Sequence, residues 1–265
     1  MTRRTLLVAL PHPDDETFGV GGVMARAAEE GHRVVIVCAT RGEVGEIADP
    51  ALATPETLGA VREGELRTAA AALGVQDVRF MGYRDSGMAG TLENQDPRAF
   101  VNADATSVVG DLAALIRDVR PDVVVTFDPG GVYGHPDHVA MCDRVTTAVE
   151  AAAQPGGARA PHQVARLYYI AVPKSVMRLF REVAEASGAQ WGAAVDVDAA
   201  PEDSEVTVRV DVTPWLERKK AAVRAHATQQ GTLSGMSEEY RDRMYATEWF
   251  MIARGSPGAE ILAGL

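Results

Sequence analysis

Cysteine is scarce in this sequence, and no long hydrophobic run is present. Only two of the 265 residues are cysteines, Cys38 and Cys142, and both lie inside apolar stretches. This usage argues against a disulfide framework and favours a reducing cytoplasm. The apolar run before Pro11 is too short for a signal-peptide core, and no stretch approaches the ~20 apolar residues of a membrane span. We expect a soluble cytoplasmic protein with no membrane partner.

Positive charge is also in short supply. The chain has 26 lysines and arginines against 37 aspartates and glutamates, a formal net charge of −11. Nucleic-acid binding needs clustered basic side chains, so this deficit argues against a nucleic-acid partner. The balance of 46% apolar and 24% charged residues is that of an ordinary globular protein. A length of 265 residues fits one large α/β domain.

Apolar runs typical of buried strands alternate with segments of helical periodicity. The predicted strands cover residues 5–10, 33–39, 77–81 and 122–127. The predicted helices that follow them cover residues 18–30, 57–73, 105–119 and 137–153. Such an order predicts an α/β, Rossmann-like fold with a mostly parallel sheet and helices on both faces.

The second half of the chain carries weaker signals. Two further strands are predicted over residues 167–172 and 206–212, with helices over residues 174–187 and from Pro214 to about residue 229. Residues 154–161 are typical of an exposed loop. We therefore expect a core over residues 1–155 and a C-terminal elaboration over residues 156–265. Both would belong to one domain, and the second part would shape the substrate pocket.

Two short segments concentrate histidine and aspartate. Pro11-His12-Pro13-Asp14-Asp15-Glu16 follows the first predicted strand, and Tyr133-Gly134-His135-Pro136-Asp137-His138 follows the fourth. Both should therefore lie at the carboxyl ends of parallel strands, which is the edge of an open α/β sheet where ligand sites form. The sequence predicts that the two segments converge there as the active site.

These residue types suit a metal that activates water. Two imidazoles and one carboxylate leave an open coordination position, as a catalytic zinc site requires. Zinc lowers the pKa of a bound water to about 7, and a second carboxylate can take the proton. Asp14 and Asp15 are neighbours in an irregular loop, so one can bind the metal while the other faces the substrate.

Helix capping is the alternative explanation for the acidic residues. Carboxylates at a helix start satisfy free N–H groups and complement the helix dipole, and Asp137 could cap the next helix in this way. Capping does not explain a second His-Pro-Asp unit at the end of another strand. The proline after each histidine restrains the local backbone, as suits ligands that must be held still. The combination favours a site over capping alone.

The segments PHPDDE (residues 11–16) and GHPDH (residues 134–138) resemble the LmbE/PIG-L superfamily of metal-dependent N-deacetylases. The resemblance extends from about residue 5 to residue 150. It is strongest to the bacterial branch that includes the mycothiol-pathway deacetylase and the mycothiol-conjugate amidase. The family usually has alanine where Pro11 stands, at a position that binds nothing.

The resemblance implies a role for each residue of the first motif and for the end of the second. His12, Asp15 and His138 would be the metal ligands. Asp14 would act as the general base. The implied cofactor is zinc, with iron as the alternative in the cell.

The remaining motif residues are assigned by the same resemblance. A protonated His135 would stabilise the tetrahedral oxyanion or protonate the leaving amine. Asp137 would orient His135 or the adjoining ligand. Tyr133, on the loop 130–134, would place its hydroxyl near the same oxygen, with packing at a loop tip as the alternative.

Further positions resemble the sugar pocket of the same branch. Glu46, Arg62, Asp85 and Met88 are the candidate substrate contacts, and a solvated or helix-surface charge is the alternative for the first two. His226 lies in a segment that recurs in the branch, but no role can be assigned to it. We expect it to pack on a helix surface or to contact the rim of the site.

The expected activity is hydrolysis of the acetamide of an N-acetylglucosamine-type sugar or glycoconjugate, giving acetate and a free amine. An amidase for a thiol–sugar conjugate and a deacetylase that tailors an antibiotic sugar stay open as alternatives. From another class, two histidines and one carboxylate also describe non-haem iron enzymes, whose ligands usually lie on a β-scaffold. The expected partner is a small-molecule sugar, and the sequence leaves a homo-oligomer open.

Overall fold

A computed structural model describes residues 2–187, 197–233, 237–256 and 261–262. Seven strands are present in these ranges. They are β1 (Thr5–Leu10), β2 (Arg33–Cys38), β3 (Asp77–Phe80), β4 (Val123–Phe127), β5 (Arg166–Ile170), β6 (Val208–Asp211) and β7 (Thr247–Arg254). They form one sheet in the order β3-β2-β1-β4-β5-β7-β6.

The order in which the chain adds strands to the sheet reverses at the centre of the sheet, at β1. Strands β1 to β5 are parallel, whereas β7 is antiparallel to both β5 and β6. The chain runs outward from β1 through β2 to β3, then crosses back to β4 on the other side of β1. The carboxyl ends of the neighbouring strands β1 and β4 therefore form a topological switch point, which is the usual place for a ligand site in open α/β sheets. The predicted mostly parallel, Rossmann-like fold is confirmed.

Helices cover both faces of this sheet. They are α1 (Asp15–Glu29), α2 (Leu58–Leu73), α3 (Ala105–Val119), α4 (Gly131–Gly134), α5 (Pro136–Ala153), α6 (Lys174–Ser187), α7 (Leu216–Ala225) and α8 (Glu238–Tyr245). Helices α1, α2 and α7 pack against one another on one face, and α3 packs against α5 on the other. Among the described helices, none combines the length and the apolar character needed to cross a bilayer.

The central strand β1 supplies side chains to two separate cores. Leu6, Val8 and Leu10 lie in the core beneath α1, α2 and α7, whereas Leu7 and Ala9 lie in the core beneath α3 and α5. Successive side chains of a strand point to opposite faces, so a strand covered on both faces is apolar at every position. This is why TLLVAL forms a buried strand and shows no alternation of polar and apolar residues.

Most boundaries agree with the prediction to within a few residues, and four elements differ. Helix α1 begins at Asp15 and not at residue 18, so the helix starts inside the acidic motif. The helix predicted from Pro214 to about residue 229 ends at Ala225. Helix α8 and strand β7 were not predicted. Strand β7 carries the fully buried Glu248, a charged residue that a hydrophobicity pattern does not assign to a core.

Glu248 and Lys219 form a buried ion pair that joins the C-terminal part of the chain to α1. Lys219 Nζ lies 2.6 Å from Glu248 Oε1, and both side chains are almost fully buried. The ammonium also donates to the Phe18 carbonyl at 3.0 Å. The carboxylate accepts hydrogen bonds from the Gly22 amide at 2.7 Å and the Val23 amide at 2.9 Å. Both charges are therefore satisfied by several partners, as burial requires.

We expect Lys219→Met to lower the free energy of unfolding by about 3–5 kcal/mol, because it leaves the Glu248 carboxylate buried without its cation. Urea denaturation followed by circular dichroism measures this change. Lys220→Met is the matched control: Lys220 pairs with Asp242 at 2.9 Å near the surface, where an ion pair contributes little. Equal losses in the two variants would contradict the assignment of the buried pair.

Candidate metal centre

The two predicted segments meet because β1 and β4 are neighbours. Leu6 pairs with Val123 in parallel register, so both strands end at the same edge of the sheet. The loop that follows β1 carries His12, and the start of α5 carries His138. The centroids of these two imidazole rings are 5.3 Å apart. The convergence expected from the strand order is therefore observed.

Asp15 lies between the two imidazoles. Its Oδ2 is 3.5 Å from His12 Nδ1, and its Oδ1 is 3.4 Å from His138 Nε2. His138 Nε2 is buried and has no hydrogen-bond partner in the described part of the chain. A buried polar atom without a partner is unfavourable, so this nitrogen is placed as a ligand atom would be. Two imidazole nitrogens and a carboxylate around one point fit a divalent metal such as zinc.

The other nitrogen of each ring is held by an acceptor. His138 Nδ1 lies 3.2 Å from the Gly131 carbonyl oxygen. His12 Nε2 lies 3.1 Å from Asp137 Oδ2 and 3.5 Å from Asp85 Oδ1. These contacts orient both rings and leave His12 Nδ1 and His138 Nε2 facing Asp15, which is the usual support of metal-binding histidines. Asp137 thus contacts His12, although its role was expected on His135 or the adjoining ligand.

His135 lies beside this pair. Its ring centroid is 4.6 Å from that of His12, and one nitrogen from each of His12, His135 and His138 lies within 4.8 Å of the others. His135 Nδ1 accepts a hydrogen bond from the Asp137 amide at 3.1 Å and caps α5. Since Nδ1 is an acceptor, the neutral ring carries its proton on Nε2. Burial lowers the pKa of His135, which favours this neutral tautomer.

Burial and neighbouring charges set the ionisation of the ligand candidates. Burial lowers the pKa of His138 to about 3, so the ring is neutral, as a metal ligand must be. Burial alone would raise the pKa of Asp15, but His138 and His12 outweigh it and hold the value at about 2. Asp15 is therefore a carboxylate at neutral pH and His138 a neutral imidazole.

The Asp14 carboxylate is paired with an arginine. Its carboxylate Oδ2 lies 3.3 Å from Arg62 Nη2. Burial raises the pKa of Asp14 to about 6, against the opposing charge of Arg62. The backbone of Asp14 has φ 101° and ψ −32°, a conformation that residues other than glycine rarely adopt. The two neighbouring carboxylates have different partners: Asp14 contacts Arg62, whereas Asp15 contacts the two imidazoles.

Glu16 stabilises the unusual backbone conformation of Asp14. Its Oε2 accepts a hydrogen bond from the Asp14 amide at 2.8 Å. Its Oε1 accepts from the Thr17 hydroxyl and lies 2.8 Å from His226 Nε2. Glu16 and His226 are both almost fully buried. The expectation that His226 packs on a helix surface or at the rim is wrong, because the chain after α7 folds under the motif and places the ring against Glu16.

Tyr133 lies at the mouth of the site on a strained turn. The residue is 42% exposed, and its ring centroid is 5.0 Å from that of His138. The turn contains Val132 at φ 63° between Gly131 at φ 64° and Gly134 at φ 83°. Positive φ is costly for a β-branched residue such as Val132. The other two residues of the turn with positive φ are glycines, which adopt this conformation without strain. The turn thus holds Tyr133 beside the metal centre and open to solvent.

Two of the four predicted sugar contacts are buried in the site. Arg62 donates to the Gly42 carbonyl at 2.9 Å and to the Pro13 carbonyl, in addition to its contact with Asp14. Asp85 accepts from the Gly87 amide at 2.8 Å and lies next to His12. Both side chains support the motif loop or its histidine.

The other two predicted contacts, Glu46 and Met88, lie at the surface. Glu46 is exposed, and its carbonyl accepts from Gln229 Nε2 at 2.9 Å. Met88 is 44% exposed and follows the Asp85 loop. As substrate contacts, Glu46 and Met88 stay predictions.

An apolar cavity of about 230 Å³ adjoins the metal centre. Asp15, Tyr133 and His138 line one end of it. Its walls are formed by α1, by the segments after β4 and β5, and by α8 and β7. The C-terminal part of the chain therefore forms one wall of the site.

Comparisons with known proteins agree with this geometry. The family model described as GlcNAc-PI de-N-acetylase (PIG-L) matches residues 7–149. A relative from Geodermatophilus obscurus, named 1D-myo-inositol 2-acetamido-2-deoxy-alpha-D-glucopyranoside deacetylase, is 42% identical over 99% of this chain and 98% of its own length.

Solved structures share the fold at lower identity. The N,N'-diacetylchitobiose deacetylase from Pyrococcus horikoshii has a TM-score of 0.65 at 21% identity, covering 94% of this chain and 83% of that one. The 4-carboxy-2-hydroxymuconate hydratase GalB from Pseudomonas putida has a TM-score of 0.64 at 18% identity, covering 96% and 98%. At these identities the likeness concerns the fold alone. The family match and the relative from G. obscurus together show that this chain belongs to the PIG-L, GlcNAc-PI de-N-acetylase family.

Proposed function

We propose that this protein is a zinc-dependent hydrolase that removes the acetyl group from an N-acetylglucosaminyl–inositol conjugate. The observation that carries the proposal is the buried, unpartnered His138 Nε2 that faces Asp15 beside His12, with Asp14 adjacent. The relative from G. obscurus, matched over nearly its whole length, is named as the deacetylase of such a conjugate. N-Acetylglucosamine-type sugars are accordingly the substrate class to test first.

His12, Asp15 and His138 would hold the metal. When bound there, zinc supplies a Lewis acid that polarises the amide carbonyl and lowers the pKa of water. The donor set of two imidazoles and one carboxylate leaves room for water or substrate, as catalytic zinc sites do. The contacts of Asp137 to His12 and of Gly131 to His138 keep the donor nitrogens aimed at one point.

Asp14 would act as the general base. Its carboxylate accepts a proton from the attacking water and passes it to the amide nitrogen as the C–N bond breaks. A pKa raised to about 6 by burial suits a group that must both accept and release a proton near neutral pH. Arg62, at 3.3 Å, holds the carboxylate in place.

His135 and Tyr133 would act on the oxygen of the amide carbonyl. The α5 cap fixes the His135 tautomer so that Nε2–H can donate a hydrogen bond to the charge that develops on this oxygen. Of the two roles expected for His135, this geometry favours the oxyanion role over protonation of the amine. The Tyr133 hydroxyl can approach the same oxygen from the exposed turn.

The test of this function joins metal content to amine release. Wild-type protein should contain about one zinc per chain by plasma mass spectrometry and release a fluorescamine-reactive amine from the N-acetylglucosaminyl–inositol conjugate. His138→Ala should lose both, because two remaining ligands hold zinc weakly. Metal-loaded wild type that releases no amine from the conjugate or from other N-acetylated sugars would contradict the proposal.

Asp14→Ala separates the base from the ligands. We expect kcat to fall by about 10²–10⁴-fold, the usual contribution of a general base, while zinc stays near one per chain. Asp143→Ala, on the exposed side of α5, is the matched control and should leave both values unchanged. Near-normal turnover in Asp14→Ala would show that another group takes the proton.

His226→Ala tests the support that Glu16 gives to Asp14. We expect kcat to fall about 10–100-fold with little change in KM and with zinc retained, because the Asp14 backbone loses part of its anchor. His226→Gln keeps an N–H donor toward Glu16 and should recover part of the loss. His162→Ala, whose ring contacts the Pro121 carbonyl, is the control. If kcat does not change in His226→Ala, the pair has no positioning role.

A further inference from the structure

The apolar cavity beside the metal centre has no part in the mechanism given above. Its volume is about 230 Å³, and its apolar lining includes Phe18, Phe127, Ile170, Phe180 and Trp249. For comparison, an engineered apolar cavity of about 150 Å³ binds benzene. The methyl group of an acetamide would fill only a small part of this space.

The metal centre divides the site into a polar and an apolar side. Asp14, Arg62 and Asp85 lie on the side of β2 and β3, together with the exposed loops that carry Glu46 and Met88. The cavity lies on the side of β4, β5 and β7. A scissile amide at the centre therefore has one substituent on each side.

A sugar does not match the cavity. The Glu248 carboxylate in its wall is already occupied by Lys219 and by the Gly22 and Val23 amides. Apart from the metal-centre groups, the other polar side-chain groups among the described lining residues are the hydroxyls of Tyr245 and Thr247 and the indole N–H of Trp249. These three groups cannot satisfy the several hydroxyls of a sugar, and each sugar hydroxyl left unpaired is unfavourable when buried. The sugar belongs on the polar side, and the carbonyl substituent belongs in the cavity.

We propose that the cavity binds the apolar chain of an N-acyl group longer than acetyl, so that the protein removes medium-length or aromatic N-acyl groups in addition to acetyl and with a higher kcat/KM. The inference rests on the proposed hydrolase function and specifies its acyl substrate. The chemistry is unchanged: the oxygen of water forms a bond to the acyl carbon, the C–N bond breaks, and the nitrogen gains a proton. The products are a carboxylate longer than acetate and the same free amino sugar.

Apolar burial predicts the size of the effect. Each methylene moved from water into the cavity favours binding by about 0.8 kcal/mol, which corresponds to a factor of about four. If this binding is realised in the transition state, kcat/KM rises by about that factor for each methylene until the cavity is filled. The gain ends when the chain fills the cavity, whose lining includes Phe180 and Met244.

The experiment uses glucosamine carrying N-acetyl, N-butyryl, N-hexanoyl or N-benzoyl groups, with zinc-loaded wild-type protein. Every substrate releases the same amine, so one fluorescamine calibration serves the series. We expect kcat/KM to be about 15-fold higher for N-butyryl, which has two more methylenes, than for N-acetyl. A value for N-butyryl that is no higher than that for N-acetyl overturns the inference.

Two substitutions place a larger side chain at residues that line the cavity. Val172→Trp, after β5, and Met244→Trp, on α8, should each lower the ratio of N-hexanoyl to N-acetyl kcat/KM at least tenfold. Leu179→Trp adds the same side chain at an exposed position of α6 outside the cavity lining and should leave this ratio unchanged. If both filling variants fold and keep the wild-type ratio, the acyl chain does not lie in the cavity.

An apolar group on the amine side of the substrate is the competing occupant. Octyl N-acetylglucosaminide carries its chain on the sugar and keeps the acetyl group. If its kcat/KM exceeds that of N-acetylglucosamine while the N-acyl series shows no gain, the cavity takes an aglycone and the inference is wrong. Hydrolysis of N-acetyl substrates alone overturns only the acyl-chain inference, whereas no hydrolysis of any substrate also removes the proposed function.

Discussion

The parallel pairing of β1 with β4 is the constraint on which the site depends. The register that sets Leu6 opposite Val123 brings two strand ends together at the point where the chain reverses its direction across the sheet. Each strand is then followed by a short loop that leads into a helix, α1 or α5. A shift of this register would move His12 away from His138 and separate the ligands. Both strands are buried on both faces, so the two hydrophobic cores hold the register and thereby the geometry of the metal centre.

Buried carboxylates paired with imidazoles organise the interior around this point. Asp15 lies between the two ligand rings, and the other two pairs support it: Asp137 with His12, and Glu16 with His226. A buried carboxylate is tolerated only when it has partners. The imidazoles offset only part of the negative charge of Asp15, Asp137 and Glu16. A divalent cation at the centre would balance the excess. A bound cation would therefore stabilise this cluster of buried carboxylates, in addition to any role in catalysis.

The sequence was sufficient for the parts that depend on local pattern. The bounds of β1 and α3 were predicted because a continuous apolar run marks the first, while helical periodicity ending before Pro121 marks the second. The Glu16–His226 contact could not be predicted in the same way, because it joins residues 210 positions apart. Lys219 and Glu248 show the same limit, since charged residues signal a surface until the tertiary structure pairs them. Long-range polar contacts thus escape a reading based on periodicity.

The fold alone does not decide the reaction. The P. putida hydratase shares this architecture, so the sheet edge fixes where a site forms and the side chains fix what it does. In this chain the groups follow an order across the sheet that suits amide hydrolysis. Asp14 and Arg62 lie toward β2, the imidazole–carboxylate cluster lies between β1 and β4, and the apolar cavity lies toward β5. An amide is asymmetric about its carbonyl carbon, with an amine on one side and an acyl group on the other. A site with one polar and one apolar side matches that asymmetry, so under the proposed function the amine would lie on the polar side and the acyl group on the apolar side.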